Sequence, residues 1–366
     1  MTRPSTSPAD AIARAAAGER LDAAAAQALF SAPLLDLAAA ADAVCRRLHP
    51  EPVRTFVIDR NINYSNVCVS GCSFCAFFRR VGDPESYRLS HDEIRAKVEE
   101  AVSLGATQIM LQGGLDPELP LAWFENLFRR IKAAHSCHLH SLSPPEIVHL
   151  SHLEELPVET VLGRLREAGF DSLPGGGAEI LSDASRHRLS PHKCSAGEWI
   201  AVMRAAHRLG LPTTATMMFG HIETPAQRVE HLLRIRDLQD ETGGFTAFIP
   251  WTYQPANTAL GGDETGAHDY LRTLAISRLV LDNVPNLQAS WVTQGPKIGA
   301  LALRFGANDM GSVMLEENVV RAAGASFYMT REEILRAIRQ AGFTPVQRDT
   351  YYRPLRRFDR EPPCSQ

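Results

Sequence analysis

Apolar positions along this chain switch repeatedly between the 3.6-residue period of a helix and short β-branched runs typical of strands. Residues 1–8 carry Pro4, Pro8 and several Ser and Thr, which predicts a frayed start. From Ala11 to Leu48 the chain is rich in Ala, Leu and Arg, with breaks near Gly18 and at Ser31-Ala32-Pro33, so two or three helices are predicted there. Thr55-Phe56-Val57-Ile58 is the first strand signal. Helical segments at 92–104, 121–134, 159–167, 196–209, 226–239 and 269–281 then lead, in turn, into strand signals at 107–111, 137–140, 170–173, 213–219, 246–249 and 287–292. Gly105, Gly169 and Gly210 stand where left-handed caps would end three of these helices. Seven strand signals alternating with helices predict parallel βαβ units, and so an α/β fold whose sheet closes into a full or partial TIM-like (β/α) barrel. The expected division is an N-terminal helical cap over 1–50, the barrel core over 51–300 and a C-terminal barrel-closing extension over 301–366.

In such a barrel the loops after the strands carry the chemistry, and unusual residues collect there. The first strand leads into Asn66-Val67-Cys68-Val69-Ser70-Gly71-Cys72-Ser73-Phe74-Cys75, with cysteines spaced C-x3-C-x2-C. Three thiolates on one short loop suit three irons of a [4Fe–4S] cluster and leave the fourth iron open, because a closed cluster wants a fourth cysteine. A structural zinc site would want a second, well-separated ligand pair, and no second Cys-x2-Cys recurs downstream. Later strands lead into Gln112-Gly113-Gly114, His140-Ser141-Leu142-Ser143, Pro174-Gly175-Gly176-Gly177-Ala178-Glu179, Gly220-His221-Ile222-Glu223 and Pro250-Trp251-Thr252-Tyr253-Gln254.

Each loop has a functional and a plain reading. Gln112-Gly113-Gly114 permits close backbone approach to a ligand, or is an ordinary turn. Glu179 suits pairing with ribose or substrate hydroxyls, or simply favours a helix start. His221, Glu223 and His140 are candidates to move a proton, or hydrogen-bonded groups at the barrel mouth. His138, His140 and Glu146 also lie close enough in sequence to suggest a second metal site. Trp251 and Tyr253 form an aromatic wall that stacks on a flat substrate or packs on the last helices, and Phe248 reads as core. The Gly-rich segments 294–297 and 306–311, the second containing Asn308, read as loops closing the seventh and eighth ring positions.

Composition narrows the class. Hydrophobic residues make up 45% of the 366 and charged residues 22%, enough for a large core and against disorder. A net charge of -4 without a long basic run gives no reason to expect nucleic acid or an acidic membrane surface. Cys45, Cys137, Cys194 and Cys364 are scattered and read as small buried hydrophobes or inert thiols. No apolar run approaches a membrane span and no signal-peptide layout opens the chain, so a soluble enzyme of the reducing cytoplasm is expected.

The C-x3-C-x-Phe-C motif of Cys68, Cys72, Phe74 and Cys75 resembles the signature of the radical S-adenosylmethionine (SAM) enzymes. The stretches LPGGGAEIL, TTATMMFGHIET, DETGGFTAFIPW, ASWVTQGPK and GANDMGSVMLEENVVRAAG resemble one branch of that family, covering about residues 34–352. It holds the menaquinone enzymes of the futalosine route and the radical SAM subunit of deazaflavin (F0) synthase. Thr252 and Tyr253 depart from the Pro and Phe expected there.

The resemblance implies a [4Fe–4S] cluster on Cys68, Cys72 and Cys75. It implies SAM against Phe74, Gln112, Gly113, Gly114, Ser143 and Glu179, and substrate against Trp251, Tyr253, Gln254 and Asn308. It further implies cyclisation of dehypoxanthine futalosine, begun by a 5′-deoxyadenosyl radical taking hydrogen from ribose C4′ and completed by addition to the benzoate ring. The implied electron donor is a flavodoxin or ferredoxin. Aminofutalosine synthesis and the deazaflavin reaction are the alternatives within the branch, and an electron-transfer protein or an inactive scaffold the alternatives outside it.

Overall fold

The computed structural model describes residues 7–359. Of the frayed start expected over 1–8, residues 1–6 lie outside the described residues, while Ser7 caps a helix that begins at Pro8. Ten strands are described: β1 (Val53–Val57), β2 (Asp59–Ile62), β3 (Gln108–Leu111), β4 (His138–Ser141), β5 (Thr213–Phe219), β6 (Phe245–Thr252), β7 (Asn286–Leu287), β8 (Asp309–Ser312), β9 (Thr344–Arg348) and β10 (Pro354–Arg357).

Strands and helices alternate as the pattern demands. β2, β3 and β4 form one parallel sheet, β5, β6 and β7 a second, and β8, β1 and β9 a third, with β10 antiparallel at its edge. β1 and β2 are one chain segment broken at Ile58, so the third sheet runs directly into the first. Single bridges join the rest: His140 with Ser172, Leu173 with Thr213, and Gln288 with Asp309. The ring is thus three sheets with bridged joins rather than one continuous closed barrel.

Three expectations are corrected. The strand expected at 170–173 contributes only bridges at Ser172 and Leu173. The one expected at 287–292 is the two residues of β7, because a helix starts at Trp291. The Gly-rich segment 306–311, read as a loop, instead turns at Gly306 and enters β8 at Asp309. Strand signals weaken there because β8 holds a glycine, an aspartate and a serine among its four residues. β9 had no signal distinct from its neighbours, yet it pairs parallel with β1 and brings Arg348 to the ring.

The helices Pro8–Ala17, Ala23–Ala28 and Leu34–Leu48 pack on Pro225–Thr242 and Ala267–Val280. Arg20 reaches Asp240 and Asp282, and His49 reaches the Pro285 carbonyl, so this group sits beside the segments that enter the ring's last strands. One apolar core of buried residues runs from Ala11 to Phe343 between ring and helices. Among the described residues no helix is long and apolar enough to cross a membrane.

Candidate active site

Two cavities meet inside the ring. The first, about 270 Å³, is walled by alternate residues of the strands: Val57, Asp59 and Asn61; Gln108 and Met110; His140; Thr214 and Thr216; Ile249 and Trp251. This is the period of two that points every second side chain inward. The second, about 220 Å³, holds Cys68, Cys72 and Cys75 together with Phe74, Gly113, Gly114, Ser143, Glu179 and Lys193. Gln112, Gly176, Trp251 and Val319 line both, so the two spaces communicate.

The cysteine loop is fixed by backbone and by Glu146. Cys68 N–H donates to the Arg79 carbonyl at 2.9 Å and Cys75 N–H to the Cys72 carbonyl at 3.1 Å. Buried Glu146 accepts from Tyr64 Oη at 2.7 Å, Gly113 N at 3.1 Å and Ser143 N at 2.6 Å, which ties three strand-end loops to one carboxyl group. A Cβ on Gly114 would stand 2.0 Å from the Val67 carbonyl oxygen and 3.0 Å from Cys68 Cβ, so only glycine lets the two loops lie this close. A Cβ on Gly113 would likewise stand 2.6 Å from the Tyr64 ring. These glycines are therefore required by loop-on-loop packing, whatever they also do for a ligand.

Among the described residues, no three His, Cys, Asp or Glu side chains converge on one point as a single metal ion would need. The second metal site suggested for His138, His140 and Glu146 is not formed: the two imidazoles flank Ser172, while Glu146 is spent on Tyr64, Gly113 and Ser143. A cuboidal cluster takes one thiolate per iron and suits three thiols spread around one cavity. Burial pushes the Cys72 and Cys75 thiols up, so as free groups they are protonated, and iron would displace those protons. Cys45, Cys137 and Cys194 are buried away from this cavity, and Cys364 lies outside the described residues.

Glu179 and Lys193 form a buried ion pair lining the same cavity, Nζ to Oε1 2.5 Å, with side chains 12% (Lys193) and 7% (Glu179) exposed. Burial works against both charges, but the Lys193 and Arg186 cations hold the Glu179 carboxyl below its ordinary range, and Glu179 holds Lys193 above its own. Lys193 also lies over the Phe74 ring at 5.4 Å. No motif marks Lys193; only the fold brings it 14 positions back onto the glycine loop.

Several expected residues sit elsewhere. His221 and Glu223 line neither cavity. Glu223 accepts from Gly220 N and His221 N at 2.7 and 2.9 Å and pairs with Arg228 at 2.8 Å, closing the turn after β5. Burial would raise its carboxyl, but the His221 hydrogen bond and the His221 and Arg228 charges hold it far below the usual range. Tyr253 is buried with its hydroxyl on Thr258 and the Gly261 carbonyl, because β6 ends at Thr252 and the chain turns away. Gln254 donates to the Thr252 and Tyr253 carbonyls. Asn308 binds Arg278, Leu287 N and Asn286 between strands. Of the aromatic wall, Trp251 alone lines the cavities.

The chamber also holds residues that the sequence did not single out: Asp59, Ser312, Glu317, Arg348 and Tyr352. Asp59 accepts from Gln108 at 2.8 Å and from Ser312, and burial pushes its carboxyl up to about 6. Arg348 is paired in a fork with Asp309 at 2.6 and 3.0 Å. The inward parity of Val57, Asp59 and Asn61 was the available signal for Asp59. Ser312, Arg348 and Tyr352 had none, since the strands carrying the first two, and the turn after β9 that carries Tyr352, were not predicted.

Residues 62–235 match the radical SAM superfamily, and residues 242–360 match the CofH/MqnC C-terminal region. The chain is 45% identical over 349 residues to the cyclic dehypoxanthine futalosine synthase of Halalkalibacterium halodurans, a match covering 94% of each chain. The chain belongs to the radical SAM superfamily. It is also 44% identical over 311 residues to the 5-amino-6-(D-ribitylamino)uracil–L-tyrosine 4-hydroxyphenyl transferase of Methanopyrus kandleri, covering 82% of this chain and 84% of that one. The solved FeFe-hydrogenase maturase of Carboxydothermus hydrogenoformans has the same fold, with a TM-score of 0.73 at 16% identity over 94% of this chain and 80% of that one. Radical SAM enzymes use a [4Fe–4S] cluster and SAM, and the three-cysteine cavity beside the ring chamber has the donor set for both.

Proposed function

We propose that this radical SAM enzyme cyclises dehypoxanthine futalosine to cyclic dehypoxanthinyl futalosine in menaquinone biosynthesis. The observation that supports this reading most directly is the continuity of the cysteine cavity with the chamber inside the ring, combined with the near full-length likeness to a relative named for that reaction. Bound cluster and SAM supply, on reduction, a 5′-deoxyadenosyl radical.

The chain's own residues do the rest. Cys68, Cys72 and Cys75 hold the cluster, while Gly113, Gly114, Ser143 and the Glu179–Lys193 pair line the space left for SAM. Trp251, Gln112, Gly176 and Val319 stand at the passage and align a substrate in the chamber with that space. Asp59, Gln108, His140, Thr214, Thr216 and Gln288 offer hydrogen bonds to a polar ribose, while Met110, Ile249 and Trp291 give an aromatic ring apolar surface. Cyclisation joins two parts of one molecule, so the pocket's contribution is to hold a near-attack fold and exclude water. His221 and Glu223 are assigned to the turn after β5 rather than to proton transfer. A flavodoxin or ferredoxin in the cytoplasm is the proposed electron donor.

The test uses reconstituted enzyme, SAM, a strong reductant and substrate deuterated at C4′. Deuterium should be carried into 5′-deoxyadenosine alongside a cyclic product of unchanged carbon count. Deuterium transfer without cyclised product would refute the cyclase. The likeness to the tyrosine transferase favours a second reading, and turnover of tyrosine in place of dehypoxanthine futalosine would establish it.

A further inference from the structure

Behind His140, on the side away from the chamber, stands a second histidine joined to it through one hydroxyl. Ser172 Oγ lies 2.6 Å from His138 Nε2 and 2.6 Å from His140 Nδ1. His138 and His140 are two apart on β4 and so face the same side of the sheet. His140 is buried on the chamber wall, and its Nε2 lies 3.5 Å from Thr214 Oγ1. His138 is only half-buried and stacks edge-on to the exposed Tyr351 ring at 5.1 Å.

A hydroxyl has one hydrogen. Flanked by two imidazole nitrogens, Ser172 can donate to only one of them, and donating to one while accepting from the other satisfies all three groups and couples the tautomers of the two rings. When His140 carries its proton on Nδ1, Ser172 donates to His138 Nε2, and His140 Nε2 presents a lone pair beside Thr214. We propose that His140, Ser172 and His138 form a proton-exit line from the chamber to solvent. It rests on the cyclase reading, in which the substituted benzoate ring must lose a proton to regain aromaticity.

The ring C–H bond breaks and its electron pair stays on the ring. The proton bonds to His140 Nε2 as the Nδ1 proton moves to Ser172 Oγ, the hydroxyl proton moves to His138 Nε2, and His138 Nδ1 releases its proton to water. The odd electron left on the ring goes to a one-electron acceptor of the iron–sulfur class.

Burial, with the charges of His138 and Arg348 beside it, holds the His140 imidazole down at about 3, which makes it a poor store for a proton. A line avoids that penalty, because His140 gives up one proton as it takes another and stays neutral. His138, held at about 4 chiefly by burial, is where charge emerges. Asp171 and Asp349 favour it there, and Lys132 and Arg353 oppose it. Asp59, its carboxyl pushed up to about 6 by burial and each oxygen holding one hydrogen bond, from Gln108 and Ser312, is the rival acceptor that the Asp59→Asn measurement below separates from the line.

Two measurements test the line. In the full chain before cofactor loading, ¹⁵N-histidine NMR at pH 7 should show one tautomer for each of the two rings, and Ser172→Ala should mix both populations. In reconstituted enzyme, Ser172→Ala should cleave SAM at nearly the parental rate while cyclised product falls about 10²-fold, as for loss of a proton-transfer group, and the solvent deuterium isotope effect on product should change. Unchanged tautomers, product at the parental rate, or equal loss of cleavage and product would overturn the proposal. So would Asp59→Asn alone removing product while cleavage survives. A parental enzyme that makes no cyclic product would instead refute the cyclase, leaving the tautomer measurement to judge the coupled rings.

Discussion

Replacing Lys193 with Met separates the two charges that face the cysteine loop. Met keeps the length of the stem and removes the cation, leaving the Glu179 carboxyl with a side chain only 7% exposed and its partner, 2.5 Å away in the parent, gone. Breaking a buried pair from one side costs about 3–5 kcal/mol, because an uncompensated charge stays buried. Arg186 remains nearby and lowers the Glu179 carboxyl, which argues for the lower end of that range.

The pH dependence has a definite sign. In the parent the Glu179 carboxyl is depressed, so its contribution is present above the ordinary glutamate range and is lost as pH falls through the folded value. In the variant, burial dominates and raises the carboxyl above 4.5. The destabilisation should therefore be small below that range, where the group is protonated in both states, and grow as pH rises through the raised folded value. Urea denaturation of parent and variant at pH 5 and pH 8 measures it, and Lys193→Met with Glu179→Gln should recover much of the loss at pH 8. A difference that is the same at both pH values would refute the reasoning.

Changing Cys68, Cys72 or Cys75 to Ala should abolish the roughly four irons of a cuboidal cluster, whereas changing Cys45, Cys137, Cys194 and Cys364 together should leave iron content intact. Anaerobic reconstitution and iron analysis decide it, and cluster loss in the fourfold variant would contradict the assignment. Gly114→Ala should lower the melting temperature and iron loading, since its Cβ meets the Val67 carbonyl at 2.0 Å and overpacking costs about 1–3 kcal/mol. Gly163→Ala, in the helix Val158–Glu167 with nothing within 4 Å of the new Cβ, should instead stabilise by about 0.5–1 kcal/mol. Equal melting curves for the two would show that the loops give way to each other freely.

Local pattern determined a good deal by itself. The cysteine spacing, the succession of strand and helix, and the glycine loops after strands can be read from the chain because each depends on neighbours within a few residues. The helices at Leu121–Ala134 and Ala196–Arg208 fall where their apolar period ends. Which polar residue faces the chamber is a different matter, since it depends on where a strand stops and what lies across the ring. Tyr253 keeps the inward parity of Trp251 but falls one residue past the end of β6 and turns away. His221 and Glu223 look like acid and base in sequence, yet their hydrogen bonds are spent on the turn that holds them. Lys193 meets Glu179, and Arg348 joins Asp309 on the wall of the chamber, only because the chain returns over long separations. Such pairings are made by burial, where an unpaired charge is costly, and no local run of residues records them.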